Sequence, residues 1–194
     1  MPYYLTNSMH SAWIQFLIVI SNSSDPEPQI LISILAFIIL YLMSNKLESL
    51  CCVFDICATG ATNIILKYTV KRYRPMELRL IDAHGYSFPS GHASISTAIG
   101  IVLIYFIIKK IKNKKVAYLL SGFIFIYLML VGFSRVYLGV HYPTDVLGGW
   151  AIAIIWSYIT ISAYKFCMKK DVNKFLDKYF TIKLNVFKHK PKST

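Results

Sequence analysis

Acidic residues are scarce in this chain. Nine Asp and Glu stand against 21 Lys and Arg in 194 residues, giving a formal charge of +12. The few carboxylates do not cluster, so there is no oxygen cage for Mg²⁺ or Ca²⁺. Cysteine is scarce too. Cys51, Cys52, Cys57 and Cys167 lie in or beside apolar runs, with neither zinc spacing nor a disulfide framework. They read as small apolar side chains and carry no redox inference. Charged residues of both signs make up only 15% of the chain, against about 25% in soluble domains. Residues 1–20 contain no Lys or Arg, so the basic region that opens a signal peptide is missing there. Repeats are absent, and the low-complexity tracts are lysine-rich.

What is abundant is apolar side chain. Hydrophobic residues are 56% of the total, and the mean hydropathy is +0.51. The length suits one domain, and the apolar excess assigns side chains to lipid as well as to a core. A membrane helix needs roughly 20 mostly apolar residues. Five runs approach that length: Gln29–Ser44, Leu47–Leu66, His92–Ile108, Val116–Phe133 and Val146–Met168. Ala12–Ile20 is too short to cross easily, and Ser23–Pro28 (SSDPEP) separates it from the next run. It reads as an interfacial helix, with a sixth span as the alternative. The expectation is an all-α polytopic bundle of five to six spans, divided into an N-terminal segment at 1–28, a membrane domain at 29–168 and a basic tail at 169–194.

A charge of +12 suits nucleic acid or an anionic membrane surface. Position decides for the membrane, and no nucleic-acid partner is expected. Lysines crowd Lys109–Lys115 between the third and fourth runs. They recur at 169, 170, 174, 178, 183, 188, 190 and 192. Five spans put both groups on one side, which the positive-inside rule makes cytoplasmic. Residues 67–91 and 134–145 then face outward. Lys67, Lys71, Arg72, Arg74 and Arg79 oppose that scheme and require a reason.

An anion is one reason. If the second run stays helical past Leu66, Lys67, Lys71 and Arg74 share one face at i, i+4 and i+7. Pro75 ends the helix near Arg74. The alternative is a basic flank that holds lipid headgroups by charge alone. YSFPSGHAS at residues 86–94 is a second donor group. Ser90 N-caps the following helix. Gly91 allows close approach of a ligand, and the first amides of the helix face outward. His92 sits on the first turn. A capped helix start with an incidental histidine fits equally. The third piece is GFSRVYLGVHYPTD at 132–145. Arg135 ends a span, and His141 and Asp145 are four apart. Pro143 opens a helix. Asp145 then either compensates the helix dipole or accepts the proton on one nitrogen of His141, freeing the other as a nucleophile.

Together, Lys67-x6-Arg74-Pro75, Pro89-Ser90-Gly91-His92 and Ser134-Arg135-x5-His141-x3-Asp145 resemble the three-part signature of the type 2 phosphatidic acid phosphatase (PAP2) family. The motifs and intervening spans cover residues 29–168, with no departure at any signature position. The resemblance implies hydrolysis of a phosphate monoester or diphosphate on a membrane lipid, at the outer membrane edge and without metal or cofactor. It implies that Lys67, Arg74, Ser90, Gly91, His92 and Arg135 surround the phosphate. By the same resemblance, His141 attacks phosphorus, His92 protonates the leaving oxygen and Asp145 orients His141. The expected partners are a phosphorylated lipid and the bilayer. Undecaprenyl diphosphate, phosphatidylglycerol phosphate, phosphatidate and lipid A phosphates all fit.

Two rivals are distinct. A soluble vanadate-binding haloperoxidase carries similar motifs, and the spans argue against it. A lipid-binding or transport module would not need His141, Asp145 and His92 intact. Asp55, in mid-span, reads as a substrate or proton group or as a buried contact between helices. Glu77, Asp82 and His84 fit a headgroup or a solvated loop. Tyr142 and Trp150 read as interface anchors.

The lysine asymmetry is testable. On a background lacking the four native cysteines, a cysteine at position 84 should react with a membrane-impermeant maleimide in intact cells. One at position 112 should not. Labelling at 112 instead would put the motif loops in the cytoplasm.

Overall fold

The computed structural model describes residues 8–42, 46–76 and 79–169. Among them the chain forms six α-helices: α1 (Ser8–Asn22), α2 (Pro26–Leu42), α3 (Lys46–Val70), α4 (Gly91–Lys110), α5 (Lys114–Tyr137) and α6 (Pro143–Lys169). Ser44, Glu77 and the tail beyond 169 lie outside the described residues. Each of the five expected runs is a helix, and the fold is an all-α membrane bundle. Helices α3 to α6 are each long and apolar enough to cross a bilayer. The shorter α2 passes only together with α1, as one broken span bent by 54°, so the spans number four or five.

The helix ends follow local chemistry. Pro26 and Pro143 open α2 and α6, where the missing amide has no helical partner to lose. Asn113 caps α5 by accepting from the amides of Lys115 and Val116. The exit of α3 differs from expectation. The helix stops at Val70, and Lys71 takes the left-handed conformation with φ 51°. Its amide donates to Lys67 O at 3.0 Å, the single bond of an αL helix end. Lys67, Lys71 and Arg74 therefore do not share a helical face.

Small residues and polar staples hold the bundle, because lipid supplies little hydrophobic drive between helices. Helix α4 packs against α3, α5 and α6. A Cβ on Gly100 of α4 would lie 2.7 Å from Leu128 of α5. Trp150 packs inward from α6 onto Gly132 of α5, where a Cβ would lie 2.5 Å from the indole. Asp55 is fully buried and accepts from Ser157 at 2.8 Å and Thr160 at 3.2 Å. It is a contact between α3 and α6. Trp156 adds a bond to Thr62, and Tyr164 one to Glu48. Helix α1 buries Ile14 and Leu17 against Leu138, beside Leu80 and Ile81. Large apolar side chains such as Ile34, Phe123 and Ile155 point outward, as a lipid-facing surface requires.

Gly149 fixes how closely α6 approaches the start of α4. A Cβ there would stand 2.8 Å from Ser90 O and 3.2 Å from Ser94 N. Both are backbone atoms and cannot swing aside. Gly149→Ala should cost about 1–3 kcal/mol through overpacking, read as a lower melting temperature in detergent. Gly122→Ala, with nothing within 4 Å of the new Cβ, is the control. Equal melting of the two variants would refute the close-approach role.

Candidate active site

The three motif segments meet at one end of the bundle. Asp145 is fully buried in the first turn of α6. Its Oδ1 accepts from Arg72 Nη1 at 3.0 Å, and its Oδ2 from Tyr142 N at 2.8 Å. Oδ2 also lies 3.4 Å from His141 Nδ1. Its backbone oxygen accepts from Ser90 N at 3.0 Å. One residue thus touches all three segments. The two readings of Asp145, helix-end carboxylate and imidazole partner, describe the same group.

His141 has a definite tautomer. Its Nε2 lies 3.1 Å from Arg74 Nη1. A guanidinium only donates, so Nε2 must accept, and in the neutral ring Nδ1 carries the proton toward Asp145. Burial pushes the His141 pKa down to about 4. Asp145 raises it, while Arg74 and Arg135 lower it. The ring is therefore neutral near pH 7, with its lone pair on Nε2.

Backbone carbonyls aim the cations. Arg74 reaches the site from the loop after α3. It donates to His84 O at 2.9 Å, Gly85 O at 3.1 Å and Val140 O at 2.9 Å. Burial, then Arg79, pulls its pKa below the usual guanidinium value. Lys67 Nζ donates to Tyr86 O at 3.0 Å and Pro89 O at 2.9 Å. That uses two of its three donors. Arg135 is 4% exposed and bonds Ser21 of α1 through Nη1. Among the described residues its Nε has no hydrogen-bond partner, a buried donor that calls for an acceptor.

Ser90 caps α4, accepting from Ala93 N at 3.4 Å. Asn63 steadies the same turn through Pro89 O and Ser94 Oγ. A Cβ on Gly91 would meet nothing closer than Asn63 Oδ1 at 3.8 Å, so protein packing does not demand glycine there. His92 Nε2 lies 2.7 Å from Asp25 Oδ1, in the turn between α1 and α2. Arg74 and Arg135 are electrostatic neighbours of both histidines.

All eight expected residues therefore gather at this end. Lys71 does not; it is exposed, and Arg72 takes the inward place. Arg72 also stacks on Tyr142, 4.0 Å above the ring, so Tyr142 underlies a site cation. His84 contributes its backbone oxygen to Arg74, while Asp82 is exposed. Sequence reasoning missed Arg72, Asn63, Ser21 and Asp25 as site residues. Arg72 was visible as charge, with nothing to give its direction. Asp25 was visible only as part of a break. Among the described residues, no group of three or more His, Cys, Asp or Glu side chains could hold a metal ion.

A family model described as the PAP2 superfamily matches residues 48–169, leaving α1 and α2 outside. Phosphatidylglycerophosphatase B of Bacillus subtilis is 40% identical over 101 residues, 50% of this chain and 48% of that one. Undecaprenyl-diphosphatase BcrC of the same organism is 31% identical over 110 residues, 52% of each chain. The chain spans about half the length of these curated relatives. The crystal structure of a transmembrane PAP2 type phosphatidylglycerolphosphate phosphatase from Bacillus subtilis is similar in fold. Its TM-score is 0.72 at 25% identity, covering 84% of this chain and 80% of that one.

The environment of His141 makes a titration prediction. In detergent, its imidazole resonance should titrate near pH 4. Asp145 favours the protonated ring, so Asp145→Asn should move the midpoint lower still. A midpoint at or above the ordinary value of about 6.5 would show that the ring is not desolvated.

Proposed function

The chain belongs to the PAP2 superfamily, and on that footing we propose that it hydrolyses the phosphate of a membrane lipid through a phosphohistidine. The observation that carries this reading is the His141 ring, held by Asp145 on Nδ1 with Nε2 turned to Arg74. The nitrogen with the lone pair faces the cation that would hold a phosphate.

The steps follow from charge and position. Lys67, Arg74, Arg135 and the first amides of α4 hold the phosphoryl oxygens. Arg suits two-point contact with such oxygens. His141 Nε2 attacks phosphorus, forming the N–P bond as the P–O bond to the lipid breaks. Protonated His92 gives its proton to the leaving oxygen. Water then attacks the phosphohistidine, His92 takes a proton from it, and phosphate departs. Phosphoryl transfer is mainly positioning and charge stabilisation, and fixed side-chain cations supply both here. Phosphatidylglycerophosphatase and undecaprenyl-diphosphatase relatives support a phosphorylated lipid as the substrate class.

The proposed orientation puts the site outside and the Lys109–Lys115 loop in the cytoplasm. Lys67, Arg72 and Arg74 are committed to site hydrogen bonds. Catalysis thus accounts for three of the five basic residues that oppose a plain charge count.

The test is phosphate release in detergent from phosphatidylglycerol phosphate, undecaprenyl diphosphate, phosphatidate and lipid A. Wild type should release phosphate from at least one in EDTA. Vanadate should inhibit, because its five-coordinate form mimics the transition state. His141→Ala should lose at least about 10³-fold, as loss of a nucleophile does. Retention of more than a few per cent of the rate would remove His141 from that role. Lipid binding with no turnover on any substrate would favour the non-enzymatic membrane module.

A further inference from the structure

The Asp25–His92 contact lies partly outside the matched family region and has no counterpart in the three motifs. Asp25 sits at the break between α1 and α2, at the N-terminus of α2. Its backbone oxygen accepts from Gln29 N at 3.0 Å, as a helix-capping residue's does. Its side chain turns elsewhere. Oδ1 lies 2.7 Å from His92 Nε2, with the histidine 18% exposed and the carboxylate 44% exposed.

The break is built to hold that carboxylate in place. On the α5 side, Ser21 Oγ accepts from Arg135, and Ser23 Oγ pairs with Tyr127 OH at 2.9 Å. On the α4 side, Gln29 Nε2 donates to Ser96 Oγ at 2.9 Å and to His92 O at 3.4 Å. Within the turn, Ser23 and Ser24 tie back to Ile20 O and Ser21 O. Two anchors on α5, two on α4 and two internal bonds fix a three-residue turn. A plain connection between two helices does not need this.

We propose that Asp25 is the positioning residue for His92. It holds the Nε2 proton and favours the charged imidazolium, leaving Nδ1 as the nitrogen that exchanges protons with the leaving oxygen and water. This rests on the reading of His92 as proton donor. An ionised carboxylate only accepts, so the short contact fixes Nε2–H. The charges that bear on His92 are Asp25 from the turn, Arg135 from α5 and Arg74 from the loop. The two cations disfavour a charged ring. Asp25 is the carboxylate that opposes them, placed on Nε2 of the ring.

Helices α1 and α2 thus have a chemical task. His141 and His92 each have their own carboxylate, on opposite ring nitrogens. Asp145 holds Nδ1 of the nucleophile, and Asp25 holds Nε2 of the acid.

Asp25→Asn tests this without disturbing the turn, because Asn keeps the size of Asp and the bond to Gln29 N uses the backbone oxygen. The midpoint for His92, followed by NMR on histidine-labelled protein in detergent, should fall by about one pH unit when the carboxylate's charge is removed. With the lipid that the wild type turns over best, kcat should fall about tenfold at pH 7, as the protonated fraction does. KM should hold, and the basic limb of the pH profile should move down by the same unit. Asp25→Glu should restore part of both effects. Melting temperature should stay within a degree or so, since a purely structural role predicts the reverse pattern. An unchanged His92 titration would overturn the proposal. So would a kcat that rises in Asp25→Asn, which would make Asp25 a placeholder that substrate must displace. If the wild type releases no phosphate from any lipid, the phosphatase reading fails. The His92 titration then decides the Asp25 pairing alone.

Discussion

Everything at the motif end of this bundle depends on one buried carboxylate. Asp145 takes Arg72 on one oxygen, Tyr142 N and His141 on the other, and Ser90 N on its backbone oxygen. These four groups come from three segments far apart in sequence. A buried charge is costly unless paired and hydrogen-bonded, and here the pairing is complete. Removing Asp145 would therefore do more than release an imidazole. It would leave Arg72 without its anion and Tyr142 N without its acceptor, while Ser90 N kept its bond to the backbone oxygen at position 145. The loop after α3, the cap of α4 and the start of α6 hold one register because they share this residue.

The cations pose the opposite problem. Lys67, Arg74 and Arg135 lie close enough to bear on one another, and like charges in a poorly solvated pocket repel. The protein answers with backbone carbonyls. Lys67 is held by Tyr86 and Pro89, and Arg74 by His84, Gly85 and Val140. Carbonyl dipoles stabilise a cation without neutralising it, so its full charge remains for an anion. Carboxylates in their place would have cancelled the field that the proposed phosphate would need. Asp145 forms its ion pair with Arg72, the site guanidinium left out of the proposed phosphate contacts.

Much of this was legible in the chain, for physical reasons. The apolar runs gave five helices, because length and hydropathy dictate membrane helices with little interference from tertiary contacts. Ser90, Pro143 and Asp145 announced helix starts through local chemistry, and each stands at one. Lys67-to-Arg74 was legible as charge and misleading as geometry. A left-handed lysine at 71 ended the helix early, and propensity gives no warning of that, since glycine is the usual residue there. Arg72 then turned inward where Lys71 had been expected. Asp25 and Ser21 were illegible because their partners, His92 and Arg135, lie 67 and 114 residues away. No periodicity connects them. Trp150 suggested an interface anchor by its type, yet Gly132 opened a slot for it within the bundle.

The remaining question is what keeps so charged a site rigid at the end of a lipid-embedded bundle. Helix α6 carries Asp145, and α3 holds α6 through three sets of polar contacts. Trp156 donates to Thr62 at 2.8 Å. In mid-span, Asp55 accepts from Ser157 and Thr160. At the lysine end, Tyr164 donates to Glu48 at 2.9 Å, and Lys110 pairs with that buried carboxylate at 2.6 Å. Each contact contributes modestly in a membrane, about 0.6 kcal/mol on average. They fall within residues 156–164 of α6 and 48–62 of α3, and they resist sliding or rotation of one helix against the other. Gly149 then lets α6 close onto the α4 cap. Asp145 is therefore delivered to Ser90 and Arg72 by a frame set further along α3 and α6. The polar groups buried among the apolar residues of α3 and α6 keep the site in register, although none of them touches it.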